Sequence, residues 1–321
     1  MNEFEQQIRI KARQLLREKK VDLIIGYSKG SISFRTRPIF LNKEESVEKL
    51  VWNSYCSLNL AKFLPSINKD LKIGIIAKGC TGRSIIQLAL ENQINRDNIT
   101  IIGIECSGNI NRRKIEDIIN NQEILDVIEK DNKIIIKGKD FEEIISKSDY
   151  LNNSCKTCKV RIHPLSDIII GEISPIAINN NDDYEDLKEF DEKSPDEKWE
   201  IITKILSNCI RCYSCREACP MCYCNQCFID QIKPIWFDKT TELSDIIIFH
   251  IVRAFHVAGR CTSCGDCTNS CPMGIDLTLI TRELEKVVKN RYDFISGIDP
   301  EKPIPFGSCS INDNEDFMIH K

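Results

Sequence analysis

Residues 3–20 carry Phe4, Ile8 and Leu15 at helical spacing among charged side chains, which predicts an amphipathic helix packed on a surface or docked to a partner. From residue 21 the pattern changes. VDLIIGY, ISFRTRPIF, LKIGIIA and ITIIGIEC are short apolar runs, and helical stretches ending in NLAKFL and covering SIIQLALENQ lie among them. Apolar runs that end at loops and are separated by a helix indicate parallel β-α-β units. An α/β domain is therefore expected over residues 1–178.

The pattern then fades. Residues 179–199, NNNDDYEDLKEFDEKSPDEKW, hold many acids and few apolar positions and predict a solvated acidic linker. Within it Ser194, Pro195, Asp196 and Glu197 supply an N-cap, a first-turn proline and acids at the positive end of a helix, so a helix is expected to start there and lead to Cys209. Further helices are expected over 243–258, closed by Gly259, and over 275–290. Residues 200–321 thus form a second, mainly helical unit.

The length of 321 residues, with 42% hydrophobic and 29% charged positions, suits two globular domains. Apolar runs such as Ile246 to Phe249 fall far short of the roughly 20 residues that cross a bilayer, and the N-terminus is charged from its third residue. A cytoplasmic chain without signal peptide or membrane segment is expected. The net charge is −4, with Lys and Arg scattered among acids, which argues against nucleic acid as the main partner.

The seventeen cysteines change the picture most. A cytosolic chain keeps thiols reduced and uses clustered ones for metal, whereas a disulfide protein this rich in cysteine is normally short and secreted. Cys209, Cys212, Cys215 and Cys219 followed by Pro220 form C-x2-C-x2-C-x3-C-P. Cys261, Cys264, Cys267 and Cys271 followed by Pro272 repeat it without deviation. Two-residue spacing lets three thiolates reach one [4Fe–4S] cluster, and the fourth, beside proline, crosses to the other cluster. That assigns Cys209, Cys212, Cys215 and Cys271 to one set, and Cys261, Cys264, Cys267 and Cys219 to another. Zinc favours tetrahedral pairs of C-x2-C and leaves the third cysteine and the proline without a role. About 40 residues separate the two blocks, too many for a compact ββ unit, so a helical dicluster ferredoxin domain is expected.

In the first domain Cys80 follows one apolar run, in AKGCTGRS, and Cys106 follows another, in IECSGN. Thiols at the carboxyl ends of neighbouring parallel strands converge on one rim, and the C-x2-C loop of Cys155 and Cys158 completes a set of four. Buried unliganded cysteines or a redox pair account for the same residues.

AKGCTGRSIIQLALENQINRDNITIIGIECSG, SCKTCKVRIHPLSDIIIGE, CIRCYSCREACPMCYCNQC, GRCTSCGDCTNSCPMGIDLTLI and FISGIDPEKPIPF together resemble the β subunits of deazaflavin-coenzyme-dependent formate dehydrogenases and hydrogenases, from about residue 20 to 306. The resemblance implies a cluster held by Cys80, Cys106, Cys155 and Cys158. Formate dehydrogenase β subunits also share the tail seen here as Cys222, Cys224 and Cys227 and a cysteine matching Cys56, whereas the simpler hydrogenase β subunits lack both. The resemblance thus implies a fourth cluster on Cys56, Cys222, Cys224 and Cys227, joining the two domains, with Cys309 spare. Reduced core thiols or a labile metal explain these residues as well.

Members of that family that reduce the deazaflavin use a bound flavin, and they carry an N-terminal Gly-Gly segment and a later Gly-rich stretch ending in Gly-Trp. Here the corresponding stretches read EFEQQIRIKARQLLREKK and GEISPIAINNNDDY. What remains for FAD is the KGCTGR loop, with Lys78, Gly79, Thr81, Gly82 and Arg83, which equally fits a tight turn around a ligand cysteine. His163, His250, His256 and His320 are expected to pack or hydrogen-bond. Arg112, Arg113 and Lys114 form a basic patch, usually a solvated face, that also suits an acidic electron-transfer partner.

The expected function is a multi-cluster electron-transfer subunit of an anaerobic oxidoreductase complex, with no catalytic residues of its own. Its partner is expected to be the catalytic subunit of a formate dehydrogenase or hydrogenase, or a heterodisulfide-reductase-type flavoprotein. A flavin-bearing subunit exchanging hydride with a deazaflavin or nicotinamide is the alternative, and a cluster-based redox sensor is a third.

Overall fold

A computed structural model describes residues 3–120, 122–130, 132–172, 184–235 and 238–307. Cys309 and His320 lie outside the described residues, as does most of the stretch set against the Gly-rich segment. The strands are β1 (Leu23–Lys29), β2 (Thr36–Leu41), β3 (Ile73–Ala77), β4 (Ile99–Ile104), β5 (Ile124–Lys130), β6 (Lys133–Gly138), β7 (Glu142–Ser146) and β8 (Ile168–Ile170). The longer helices are α1 (Glu3–Arg17), α2 (Gly79–Leu90), α3 (Arg112–Ile118), α4 (Pro195–Leu206), α5 (Leu243–His256) and α6 (Thr278–Tyr292).

The main sheet has the order β2-β1-β3-β4-β8. β1, β3, β4 and β8 run parallel, and β2 pairs antiparallel with β1. Isoleucines align across the register, Ile25 opposite Ile75 and Ile75 opposite Ile101. Every residue of β3 is buried, as an all-parallel strand covered on both faces requires. α1 buries Ile8, Ala12 and Leu15 against this core, and α1 and α2 both contact β3. Each aliphatic side chain so buried contributes about 1.5–3 kcal/mol.

Two expectations change here. NLAKFL belongs to a 3-10 turn over Leu60–Ser66, because Pro65 prevents a longer helix. The acid-rich stretch also departs from a solvated linker over residues 184–191. Leu187 is buried there, Asp186 takes two hydrogen bonds from Arg282 at 3.1 and 2.7 Å, and Asp191 pairs with Lys286 on α6.

A second, antiparallel sheet, β5-β6-β7, follows α3. Its Ile134, Ile136 and Ile145 pack with Phe34, Tyr55 and Ile115. Beyond residue 184 the described residues contain helices and turns and no strand. α4 starts as expected, with Ser194 and Glu197 forming a reciprocal capping box ahead of Pro195. Leu206, Ile246, Phe249, Ile275 and Leu277 make the core of this half.

Candidate metal centres

The sequence repeat is also a backbone repeat. In the first block Arg211 and Tyr213 have φ of 50° and 61°, and the equivalent positions of the second, Ser263 and Gly265, have φ of 52° and 77°. A single helical turn follows each, Ser214–Glu217 and Asp266–Asn269. Left-handed residues between the cysteines reverse the chain twice, so that successive thiols face one point instead of spiralling away. The strain at non-glycine positions is compensated locally: Arg211, buried, donates through Nη1 to the carbonyls of Asp238 and Thr240, each at 2.6 Å.

The thiols group across the blocks. Burial raises Cys209, and the neighbouring thiols of Cys271 and Cys212 raise it further. Burial likewise pushes Cys215 up to about 12, with Cys267, Cys209 and Cys271 adding to the rise. In the other group, burial and then Cys219 and Cys267 push Cys261 up to about 12, and Cys219 also faces Cys264 and Cys267. Cys271 is thus a neighbour of Cys209 and Cys215, and Cys219 a neighbour of Cys261, Cys264 and Cys267, while Cys215 and Cys267 also face each other. Arg253 of α5, 5% exposed, lies between the groups; it donates to the Cys215 carbonyl at 3.0 Å and faces Cys219, Cys267 and Cys222. Arg113 of α3 donates to the carbonyl of Cys271, and His250 Nε2 lies 3.4 Å from Cys209 Sγ.

Cys80, Cys106, Cys155 and Cys158 line one small cavity, together with Lys78, Asn109, Arg161 and Cys264. Cys80 enters on the first turn of α2, Cys106 on the loop after β4, and Cys155 on a one-turn helix whose Sγ accepts the Asn109 N–H at 3.3 Å. Burial pushes Cys80 up to about 12; Lys78 opposes the shift, and Cys158 and Cys106 add to it. Cys264 also faces Cys80, so the second and third groups meet. Asp266 is buried at that junction, where its carboxylate accepts the Asn59 N–H and desolvation pushes it up to about 7.

Among the described residues no three His, Cys, Asp or Glu side chains are close enough to share a single metal ion. Buried thiols that raise one another cannot all ionise unless a positive centre lies among them, and a coordinated thiol is deprotonated outright. All-cysteine donor sets of this kind suit an iron–sulfur cluster in their chemistry.

Cys56, Cys222, Cys224 and Cys227 have different neighbours. Cys56 is buried and faces Lys78 and Cys106, and burial pushes it up to about 12. Cys222 is raised by its hydrogen bond to Cys219, Cys224 is exposed near Arg260, and Cys227 lies beside Arg216. In the KGCTGR loop a Cβ on Gly79 would overlap the Val160 carbonyl and one on Gly82 the His163 ring, so both glycines serve close packing of the chain on itself. Thr81 is fully buried, and Lys78 is occupied by backbone carbonyls. Arg83 donates through Nε to the Ser296 carbonyl at 2.9 Å, while its Nη2 is buried without a partner.

The histidines pack as expected: His163 bridges the Gly297 carbonyl and the Leu165 N–H, and His256 stands edge-on to Phe228. Sequence reasoning missed the buried charges Arg253 and Asp266 as parts of the site, and gave Lys78 only as a candidate flavin contact. For Arg253 a signal existed, since Ile246, Phe249, His250 and Arg253 share one helical face, and an arginine on an apolar stripe needs a buried partner.

Residues 70–203 match the family described as the C terminus of the coenzyme F420 hydrogenase/dehydrogenase beta subunit. The chain is 25% identical to the F420-dependent formate dehydrogenase subunit beta of Methanocaldococcus jannaschii, covering 91% of each. It is 24% identical to the F420-dependent formate dehydrogenase 1 subunit beta of Methanococcus maripaludis, covering 92% of each. A chain of the F420-reducing [NiFe] hydrogenase complex from Methanosarcina barkeri aligns with a TM-score of 0.38 and 15% identity, over 49% of this chain and 58% of that one. The matched segment contains Cys80, Cys106, Cys155 and Cys158, and both methanogen relatives align almost end to end: the chain is similar to the beta subunits of coenzyme F420-dependent hydrogenases and dehydrogenases.

Proposed function

We propose that the chain is the electron-relay subunit of an anaerobic oxidoreductase complex of the formate dehydrogenase, hydrogenase or heterodisulfide-reductase type. In this reading residues 200–321 form a dicluster ferredoxin-like domain and the α/β part carries a third [4Fe–4S] cluster. Cys209, Cys212, Cys215 and Cys271 hold one, Cys261, Cys264, Cys267 and Cys219 the next, and Cys80, Cys106, Cys155 and Cys158 the third. The observation that carries it is that Cys264 lines the same cavity as Cys80, Cys106, Cys155 and Cys158, which supports a reading in which two sets are neighbours. Single electrons move between such neighbouring sets while the protein fixes their spacing and surroundings. A catalytic subunit that oxidises formate or hydrogen is the partner at one end.

A fourth cluster on Cys56, Cys222, Cys224 and Cys227 is part of the proposal and is tested separately. Iron and acid-labile sulfide, counted per chain after anaerobic purification, give about twelve of each for three clusters and about sixteen for four. Fewer than about twelve removes the relay as stated.

One observation favours a flavin-bearing version. A cleft next to Cys80 and Cys158 is lined by Arg83, Lys159, Thr157, Tyr184 and Arg282 among others, and the buried Nη2 of Arg83 has no hydrogen-bond partner. Acid extraction followed by a flavin absorbance spectrum decides: FAD in the extract supports hydride exchange at this subunit, and cluster colour without flavin supports the relay alone.

A further inference from the structure

Ligand spacing leaves the direction of electron flow open, because clusters with identical ligands span a wide range of potentials set by burial and nearby charge. We propose, resting on the reading that Cys80, Cys106, Cys155 and Cys158 hold a cluster, that Lys78 is the positioning residue that raises the reduction potential of that centre.

The lysine is 3% exposed. Its Nζ donates to the carbonyls of Cys56 at 2.6 Å, Ser57 at 2.5 Å and Leu58 at 3.4 Å, and lies 5.6 Å from the centre of the Tyr27 ring. Carbonyl dipoles and a ring face hold an ammonium in place without cancelling its charge. The side chain lines the same cavity as the four cysteines. The acids facing it are Asp266, across the junction, and Glu105 and Glu129, which line the adjoining cavity with it. Lys78 forms no ion pair with these or any other acid among the described residues. Gaining one electron makes the centre more negative by one charge, with no bond made or broken. A fixed cation at its edge, in low-dielectric surroundings, therefore favours the reduced state.

The two halves use separate cations. Arg253 faces Cys215, Cys219 and Cys267, the donors of the other two sets. Removing the Lys78 charge should consequently move one centre and leave its neighbours in place. A merely structural lysine would loosen the junction and disturb all of them.

The test is an anaerobic redox titration of the cluster-loaded full chain, followed by electron paramagnetic resonance. Wild type is compared with Lys78→Gln, which keeps an N–H donor for the carbonyls of residues 56–58, and with Lys78→Arg, which keeps the charge. Cys106→Ala identifies the signal of the Cys80 centre by its loss together with about four irons. In Lys78→Gln the ratio of reduced to oxidised Cys80 centre at a fixed poise should fall at least tenfold, about 59 mV for a one-electron couple. Lys78→Arg and the other signals should stay within threefold of wild type. Should Gln fail to retain the iron of this set, Lys78→Met, of similar length, carries the same expectation. The inference is overturned if the Cys80 signal keeps its wild-type potential in the neutral variants, or if all signals shift together. If Cys106→Ala removes neither iron nor signal, the third centre itself falls, and the inference with it.

Discussion

The contact between the two halves can be weighed at Glu91, the residue that ends α2. Its carboxylate is 8% exposed and takes two hydrogen bonds from Arg260, Nε at 2.9 Å and Nη2 at 2.6 Å. Gln87 donates to it at 2.8 Å, the Tyr223 hydroxyl donates as well, and the Arg260 guanidinium stacks 4.9 Å from the Tyr223 ring. Arg260 immediately precedes Cys261, and α2 begins beside Cys80, so this one carboxylate ties the second cysteine block to the helix that carries Cys80. A hydrogen bond to a charged group contributes about 1.5–3 kcal/mol, and removing one partner of a buried pair costs about 3–5 kcal/mol. Arg260 is 21% exposed and regains some water when freed, which places Glu91→Ala near the low end, at about 3 kcal/mol. The measurement is a double-mutant cycle of Glu91→Ala and Arg260→Ala, by urea unfolding in anaerobic buffer with circular dichroism and cluster absorbance read together. A coupling of about 2 kcal/mol is expected. Iron release to a chelator should accelerate in either single variant, since the strain falls at Cys261. A coupling below about 0.5 kcal/mol would refute the assignment of this pair as the clasp.

Two further outcomes follow from buried groups. His163 is fully buried and its folded value lies at about 4 against an ordinary 6.5, because desolvation and the nearby Arg83 and Arg96 disfavour the charged ring. Its folded value is lowered, so the stability is complete above about pH 6.5 and is lost as pH falls towards 4. The loss is about 2 kcal/mol by pH 5, visible as a steeper fall of the urea midpoint in wild type than in His163→Gln. Gly297 and Gly259 share a φ of 68°, but a Cβ on Gly297 would overlap the Arg83 carbonyl, whereas one on Gly259 meets nothing nearer than 3.5 Å. Gly259→Ala should therefore cost about 1 kcal/mol and Gly297→Ala about 3 kcal/mol or more in unfolding experiments; equal costs would show that the backbone near Arg83 yields freely.

What the sequence discloses and what it hides divide along a physical line. The C-x2-C-x2-C-x3-C-P blocks are local chemistry, and the left-handed residues at Arg211, Tyr213, Ser263 and Gly265 are the backbone form of that spacing. The parallel core was equally legible, because the strand inside LKIGIIA is buried at every position and nothing but a strand covered on both faces accommodates such a run. β5 was not legible. Most of its side chains are exposed, and Ile124, Val127 and Ile128 stand at helical i, i+3, i+4 spacing instead of alternating as a half-buried strand would. The acid-rich stretch misled for a different reason: Asp186 and Asp191 find their cations on α6, about 95 residues away, and no local pattern announces such pairing.

The same division bears on function. In the two repeated blocks spacing decides where a proposed thiolate set forms, because three of its four donors lie within one short block, whereas Cys80, Cys106 and the Cys155–Cys158 pair are gathered by the fold. The charges that tune a set come from wherever the fold brings them. Lys78 reads in the sequence as one basic residue of a glycine loop, and Asp266 as an interchangeable residue between Cys264 and Cys267. Folding encloses both beside the junction of two sets, where water no longer screens them. A homologous chain could keep all the cysteines, exchange only such buried charges, and shift the potentials while retaining the same path. Comparison of relay subunits with different partners should therefore find their functional differences at positions like 78, 253 and 266, and hybrid chains exchanging those residues alone should exchange the order of the centres in a redox titration. If the order follows the cysteine blocks instead, the surrounding charge has no control over the path.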